Sequence, residues 1–464
     1  MPSVKIPNGS GGWIKIPTLK GDAGTITSHK SSHAIGGSDP LTPADIGALC
    51  PTITVTAPTG STVTAVSGAT TLTATESSGT WVFNVPAYGT WTINAMLGSA
   101  VPRASGTVVV DTVKQYALEL SYTKIYGISW SGGQSTAWTR TDDAAGFSDP
   151  VPALSNGNGS SPFDNCYPWN GMVKESRTGG VMVKIPKFWF KWTKSGSTLK
   201  LQIADKAESG FSVSPAHMDR GDGKGERDYV YVGRYHCNSS YLSATGASPI
   251  ASITRASARS SIHAKGSTIW QMDYAMRLTI WMLMLVEFAD NDFQAKIGYG
   301  CGNNSAVGAM GYTDSMTYHT GTTQSARTTY GLGTQYRYIE GLWDNVLDWM
   351  DGCYYSSSGM SVIKNPANFS DTANGTVIGT PTNGYPSAMS LSTASGFEWC
   401  IYPTTSSGST TTYFPDSWGF SALYPCLYAG GCYYQVLNYG AFYVNYRSAS
   451  DADAYIGCRL QELP

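Results

Sequence analysis

LYPCLYAGGCYYQVLNYGAFYVNYRSASDADAYIGCRL, residues 423–460, holds eight tyrosines, at 424, 428, 433, 434, 439, 443, 446 and 455, and Tyr413 lies just upstream. Tyrosine combines a large rigid ring with a polar tip, so it supplies contact area and a hydrogen bond at low entropic cost. Such rings can fill a core or form a binding face. Core aromatics come with Leu, Ile and Val partners, and this stretch has few of them. Tyrosine spaced by Ser, Gly, Ala and Asp is instead the composition of antibody binding loops. The side chains expected to form the face are Tyr424, Tyr428, Tyr434, Tyr439, Tyr443, Tyr446, Ser448, Ser450, Asp451, Asp453 and Tyr455.

The same stretch carries a resemblance. Gly430-Gly431-Cys432-Tyr433, Gly440-Ala441-Phe442 and Ile456-Gly457-Cys458-Arg459 resemble the frame of the variable region in proteins diversified by retroelements. That family has a C-type-lectin-type fold, similar to that of formylglycine-generating enzymes, and includes phage tail receptor-binding proteins. The resemblance implies that Gly430, Gly431, Gly440, Phe442, Gly457 and Arg459 are scaffold, while adenine-rich codons supply exchangeable positions around them. The Tyr, Ser and Asp positions suit that codon set, whereas Gln435 falls outside it. A second resemblance lies in Tyr338–Gly352, where Glu340, Trp343, Asn345 and Trp349 precede Asp351-Gly352 and lead into a central strand. Glu340 and Asn345 are expected to be buried polar groups that pin loops by hydrogen bonds, since the tryptophans imply an apolar surround. The animal lectins hold calcium and sugar with a Glu-Pro-Asn or Gln-Pro-Asp loop and a Trp-Asn-Asp. This chain has neither, so calcium-dependent sugar binding does not follow.

A chain of 464 residues is long enough for two or three domains. Its net charge is −2 with 13% charged residues, so nothing draws it electrostatically to nucleic acid or a membrane. The 52 glycines and 12% aromatics suit a loop-rich, mostly β protein. No apolar run follows the opening MPSVKIPNGS, so no signal peptide is expected, and Leu278–Val286 is too short to span a bilayer. Synthesis in a host cytoplasm, with incorporation into a virion, fits these features. Nine cysteines are scattered without a Cys-x-x-Cys, which argues against a zinc site or a disulfide framework and for free buried thiols. Cys426 and Cys432 are the one pair close enough in sequence for a disulfide, and spacing alone leaves that open.

Three regions follow in order. Residues 1–50 are rich in Gly, Ser, Thr and Pro and read as a tail-attachment and oligomerisation segment. Within it, His29 to Gly47 resembles a short motif of phage tail fibres, and Thr42-Pro-Ala-Asp45 can cap a helical turn. Residues 51–122 read as an immunoglobulin-like β-sandwich spacer. Within each of Ile53/Val55/Ala57, Trp81/Phe83/Val85, Trp91/Ile93/Ala95 and Tyr116/Leu118/Leu120 the positions have the same parity, and Gly60, Gly79 and Gly89 fall at turns. Roughly seven strands in about 70 residues match that architecture.

Residues 123–464 read as the C-type-lectin-type ligand-binding domain, with its variable region near 424–460. The alternation in Val181–Trp192 slips at Pro186, as at an edge or bulge. This segment and Asp228–Tyr235 resemble paired strands of the lectin-like tail proteins. Between them Asp219, Asp222, Glu226 and Asp228, interspersed with Arg220, Lys224 and Arg227, read as a solvated, self-neutralised loop rather than a calcium site. Trp270, Tyr274, Leu278, Trp281, Leu285 and Phe288 recur at spacings of four and three, predicting a helix over Thr268–Ala289 buried against a sheet and stopped by Asp290-Asn-Asp292.

The function classes then separate. Formylglycine-generating oxidases need two cysteines for copper, and alignment on the Gly-Gly pair puts Gln435 and Gly440 there, neither a thiolate. No Ser-His-Asp or paired-carboxylate pattern stands out, so no catalysis, cofactor or metal is expected. The favoured reading is a phage receptor-binding protein, trimeric like other tail fibres, bound to other tail proteins and presenting its face to a bacterial surface protein or glycan without inserting into the membrane. The alternative is a structural tail or baseplate protein whose tyrosines pack against neighbours.

Overall fold

Alternation of apolar and polar residues gives a pleated strand one wet and one dry side, and strands such as Thr80–Asn84 and Gly89–Met96 use this pattern. The computed structural model describes residues 5–8, 12–15, 50–96, 103–300, 306–434, 437 and 439–464, and is mostly β. The chain divides into two compact units, Met1–Tyr122 and Thr123–Pro464. The His29–His33 motif and the expected turn at 42–45 lie outside the described residues.

In the first unit, Lys5–Asn8 and Gly12–Lys15 form an antiparallel pair. The rest of the unit's described strands make two sheets. One has the order Thr80–Asn84, Thr52–Thr56, Gln115–Glu119, and the other Thr70–Thr73, Thr62–Ser67, Gly89–Met96, Ala104–Val110. Ile53, Val55, Ala57, Trp81, Phe83, Val85, Trp91, Ile93 and Ala95 all point into one core, and Leu120 joins it. Tyr116 and Leu118 are only half-buried, because Gln115–Glu119 is an edge strand, paired in parallel with Thr52–Thr56 alone.

The second unit is built around a helix, Tyr274–Phe288, every residue of which is buried. Its sequence is apolar nearly all round, so it has no face to offer water. The helix begins later than expected from periodicity. Ile269–Gln271 is instead a strand antiparallel to Leu460–Glu462, and Asp273 provides the cap by accepting the Met276 N–H at 2.8 Å. At the other end Ala289 turns left-handed (φ 49°), which leads the chain into Asp290-Asn-Asp292.

The helix packs on strands Ile125–Trp130 and Thr198–Ala204 of a five-stranded sheet that also holds Thr139–Asp142, Trp189–Ser195 and Ser212–Val213. A second five-stranded sheet runs Val173–Arg177, Gly180–Pro186, Tyr229–Gly233, Leu460–Glu462, Ile269–Gln271. The slip at Pro186 is therefore neither bulge nor edge. One strand ends there and the next, Trp189–Ser195, belongs to the other sheet. The 219–228 loop also departs from expectation: Arg220 and Arg227 are buried rather than solvated. Arg220 donates to Asp273 at 2.5 Å and to the Lys364 carbonyl at 2.7 Å, while Arg227 pairs with Asp222.

A four-stranded sheet carries the tyrosine-rich segment. Its order is Val444–Arg447, Cys426–Ala429, Leu347–Met350, Ile456–Gly457, antiparallel except for the last pair.

Candidate ligand-binding face

The frame of this segment is set by close backbone approaches that only glycine permits. A Cβ on Gly430 would lie 2.5 Å from the Leu342 carbonyl oxygen, on Gly431 2.4 Å from that of Trp343, and on Gly457 2.4 Å from that of Ile250. On Gly440 it would strike the Asp416 carboxylate at 2.4 Å. Gly430 also has φ 91°, which L side chains rarely adopt. Phe442 anchors the frame to the central helix. Its ring stands edge-on to Trp281 with centroids 3.7 Å apart, and it stacks on Phe293 at 5.6 Å. Its N–H donates to Asp416 at 2.8 Å. Burial pushes the Asp416 carboxyl up to about 8.

The loops beneath are pinned by buried polar groups. Glu340 accepts from the Gly311 N–H at 2.8 Å and from the Thr313 N–H and hydroxyl at 2.9 and 2.6 Å. Burial raises its carboxyl to about 7. Asn345, held at φ 67°, exchanges two hydrogen bonds with the backbone of Gly308. Trp343 donates its ring N–H to the Gly298 carbonyl at 3.0 Å. Arg459 is the hub, since its guanidinium reaches the carbonyls of Gly233, Arg234, Glu340 and Gly341 and the Asp348 carboxylate. Burial alone would raise Asp348, but His236 and Arg459 beside it outweigh that and hold it at about 2.

Over this frame the tyrosines divide. Tyr424 is 46% exposed and Tyr434 42%. Tyr439, Tyr446 and Tyr455 are half-buried. Tyr424 stacks on Tyr446 (5.8 Å, 10°), and Tyr434 stands edge-on to both Tyr433 and Tyr455, each at 5.2 Å. Ring-on-ring contact restricts the rotamers of these side chains. Ser450 is exposed and bonded to Ser448, whose N–H in turn donates to Asp451 at 3.1 Å.

Two expected face residues are not on the surface. Tyr428 is 2% exposed and Tyr443 1%. Tyr428 lies on an inner strand of the sheet, with its ring edge-on to Trp349 at 5.9 Å, and Tyr443 packs on Tyr439 at 4.2 Å while accepting from Asn445 at 2.6 Å. They belong to the frame. Asp453 is partly engaged, accepting from Arg447 at 2.8 Å and from the Tyr455 hydroxyl at 2.7 Å.

The structure also brings in residues that sequence reasoning missed. Asp416 has no local signature, because its partners Gly440 and Phe442 come from further along the chain. Arg447 ties Asp453 to Tyr455 and was readable as a cation among acids and rings. Leu423, 83% exposed beside Tyr424, has no local signature that separates it from a core leucine. Cys426 and Cys432 are both buried and are not joined by a disulfide. Gln435 lies outside the described residues, and among the described residues no three His, Cys, Asp or Glu side chains cluster as metal ligands. No protein-family model matches the chain, and no curated protein is significantly similar to it.

Proposed function

We propose that the protein is a phage tail-fibre receptor-binding protein. In this reading its C-terminal tyrosine-rich face, diversified by a retroelement, binds a bacterial surface protein or glycan. The fold would be an immunoglobulin-like spacer followed by a C-type-lectin-type domain, with residues 1–50 attaching a homotrimer to other tail proteins in the virion. The observation that carries the reading is the separation of layers. Exposed rings at Tyr424 and Tyr434, each packed against a half-buried ring at Tyr446 or Tyr455, stand on a buried frame that tolerates no side chain at four glycines. Such a face can change its side chains while its backbone stays put. Binding would be by affinity alone, the rings burying area and their hydroxyls choosing partners, with fibre multivalency multiplying weak contacts.

The test is deep sequencing of the coding region for residues 423–460 in a propagated phage or prophage population, together with cell binding by Tyr434→Ala and Tyr446→Ala. Substitutions confined to exposed Tyr, Ser and Asp positions, with Gly430, Gly431, Gly440, Phe442, Gly457 and Arg459 fixed, are expected. A uniform segment with unimpaired cell binding by both variants would sink the reading in favour of a structural tail part.

A further inference from the structure

The second unit has a groove of about 560 Å³ that shares no lining residue with the tyrosine face. It lies within the usual size of small-ligand sites. Its walls include the rings of Trp189, Phe211 and Trp399, drawn from three separate segments, and the charged side chains of Lys191, Glu226 and Glu398. Trp192 also lines it and packs on Trp281 of the central helix at 6.2 Å, while Trp281 meets Phe442 at 3.7 Å. The groove and the frame of the tyrosine face are therefore separated by one ring of the helix.

From this lining we infer that the groove is a second binding site, for a neutral oligosaccharide. Aromatic rings offer flat apolar platforms suited to the C–H faces of a sugar ring. The charge balance narrows the ligand. Glu226 is met at 3.7 Å by Lys187, which also pairs with Asp228 at 2.8 Å and lies over the Trp189 ring at 5.5 Å. Glu398 accepts the Gly396 N–H at 3.0 Å and has Lys364 nearby to offset its charge. Lys191 sits 5.9 Å from the Phe211 centroid. Three carboxylates, Glu226, Asp228 and Glu398, are thus matched by three lysines, Lys187, Lys191 and Lys364, so neither a cationic nor an anionic ligand finds a net field of opposite sign. What remains is a set of donors and acceptors around apolar platforms, the complement of a hydroxyl-rich uncharged ring. No metal is needed. The inference does not rest on the tyrosine face being a binding site.

Ligand-observed saturation-transfer NMR on the full chain tests it, with neutral hexose and N-acetylhexosamine oligomers, their acidic counterparts and choline as probes. Transfer to at least one neutral oligomer is expected, weakened tenfold or more in Trp189→Ala and in Ser212→Trp and kept in Tyr434→Ala. Ser212 is exposed on the groove wall, so its replacement fills the site without disturbing the core. Binding of none of the neutral oligomers, preference for choline or acidic sugars, or loss with Tyr434→Ala but not with Ser212→Trp would each overturn the assignment.

Discussion

Gly431→Ala isolates the claim that the tyrosine face stands on a frame of backbone contacts. The added methyl carbon would lie 2.4 Å from the Trp343 carbonyl oxygen and 2.7 Å from that of Tyr439, against 3.4 Å for ordinary contact. Relief therefore needs about 1 Å of movement, and both obstacles are backbone rather than the ends of flexible side chains. The first obstacle does not move freely. The Trp343 side chain is bonded to Gly298, and two residues on the Asn345 carbonyl accepts the Tyr433 N–H at 3.0 Å. We expect a loss of about 3 kcal/mol, the upper end for overpacking, and so a fall of roughly 5 °C or more in the melting temperature of the second unit. The paired control is Tyr434→Ala, where the ring is 42% exposed and the loss should be about 1 kcal/mol or less. Thermal and urea denaturation of the full chain, followed by tryptophan fluorescence, measures both. If Gly431→Ala melts within about 1 °C of the parent, the close approach does not constrain the segment and the layered reading of the site fails.

Phe442→Ala removes a ring lodged against Trp281, Phe293 and Phe414, and should destabilise the second unit by about 3–5 kcal/mol in the same denaturation assay. Arg459→Met leaves the Asp348 carboxylate without its arginine and four carbonyls without that donor, so it should cost about 3 kcal/mol or more or prevent folding, read from soluble yield and melting. Asp416 and Glu340, raised by burial to about 8 and about 7 from 3.8 and 4.5, hold protons that the unfolded chain releases. Stability should therefore fall as pH climbs from 5 to 7, by about 1.4 kcal/mol per pH unit for each group, and Asp416→Asn should roughly halve the slope; a flat profile would contradict the burial argument.

The parts of the structure legible in the sequence are those where residue type leaves one option. Period-two runs such as Trp81/Phe83/Val85 could only place their large side chains inward. Tyr116 and Leu118 obey the same parity and are half-buried, because burial at an edge strand depends on neighbours the pattern does not encode. The central helix was legible in its middle and not at its start. Trp270 fits the helical stripe, but pairing of Ile269–Gln271 with Leu460–Glu462, almost two hundred positions away, prevailed over local periodicity. Glu340 and Asn345 were legible because a carboxylate and an amide among tryptophans must find hydrogen bonds. Asp416 was not, since an isolated acid looks the same whether it faces water or the backbone of Phe442.

Tyrosine is the residue for which sequence is least decisive, and that ambiguity is the physical basis of the site. Its ring is apolar enough to be buried and its hydroxyl polar enough to be wet, so Tyr428 and Tyr434 look alike in the chain and differ only in what the fold puts around them. Tyr428, on an inner strand, has Trp349 on one side and the Arg447 guanidinium 5.6 Å from its ring centroid. Truncation there leaves a cavity that the sheet cannot close, at about 3–5 kcal/mol. Tyr434 touches other rings but keeps much of its surface in water, so its replacement leaves solvent rather than a void. A single composition thus yields two layers, one fixed by packing and one free to meet a partner. Which rings are buried is set by what the fold packs around each, not by how many tyrosines the stretch contains.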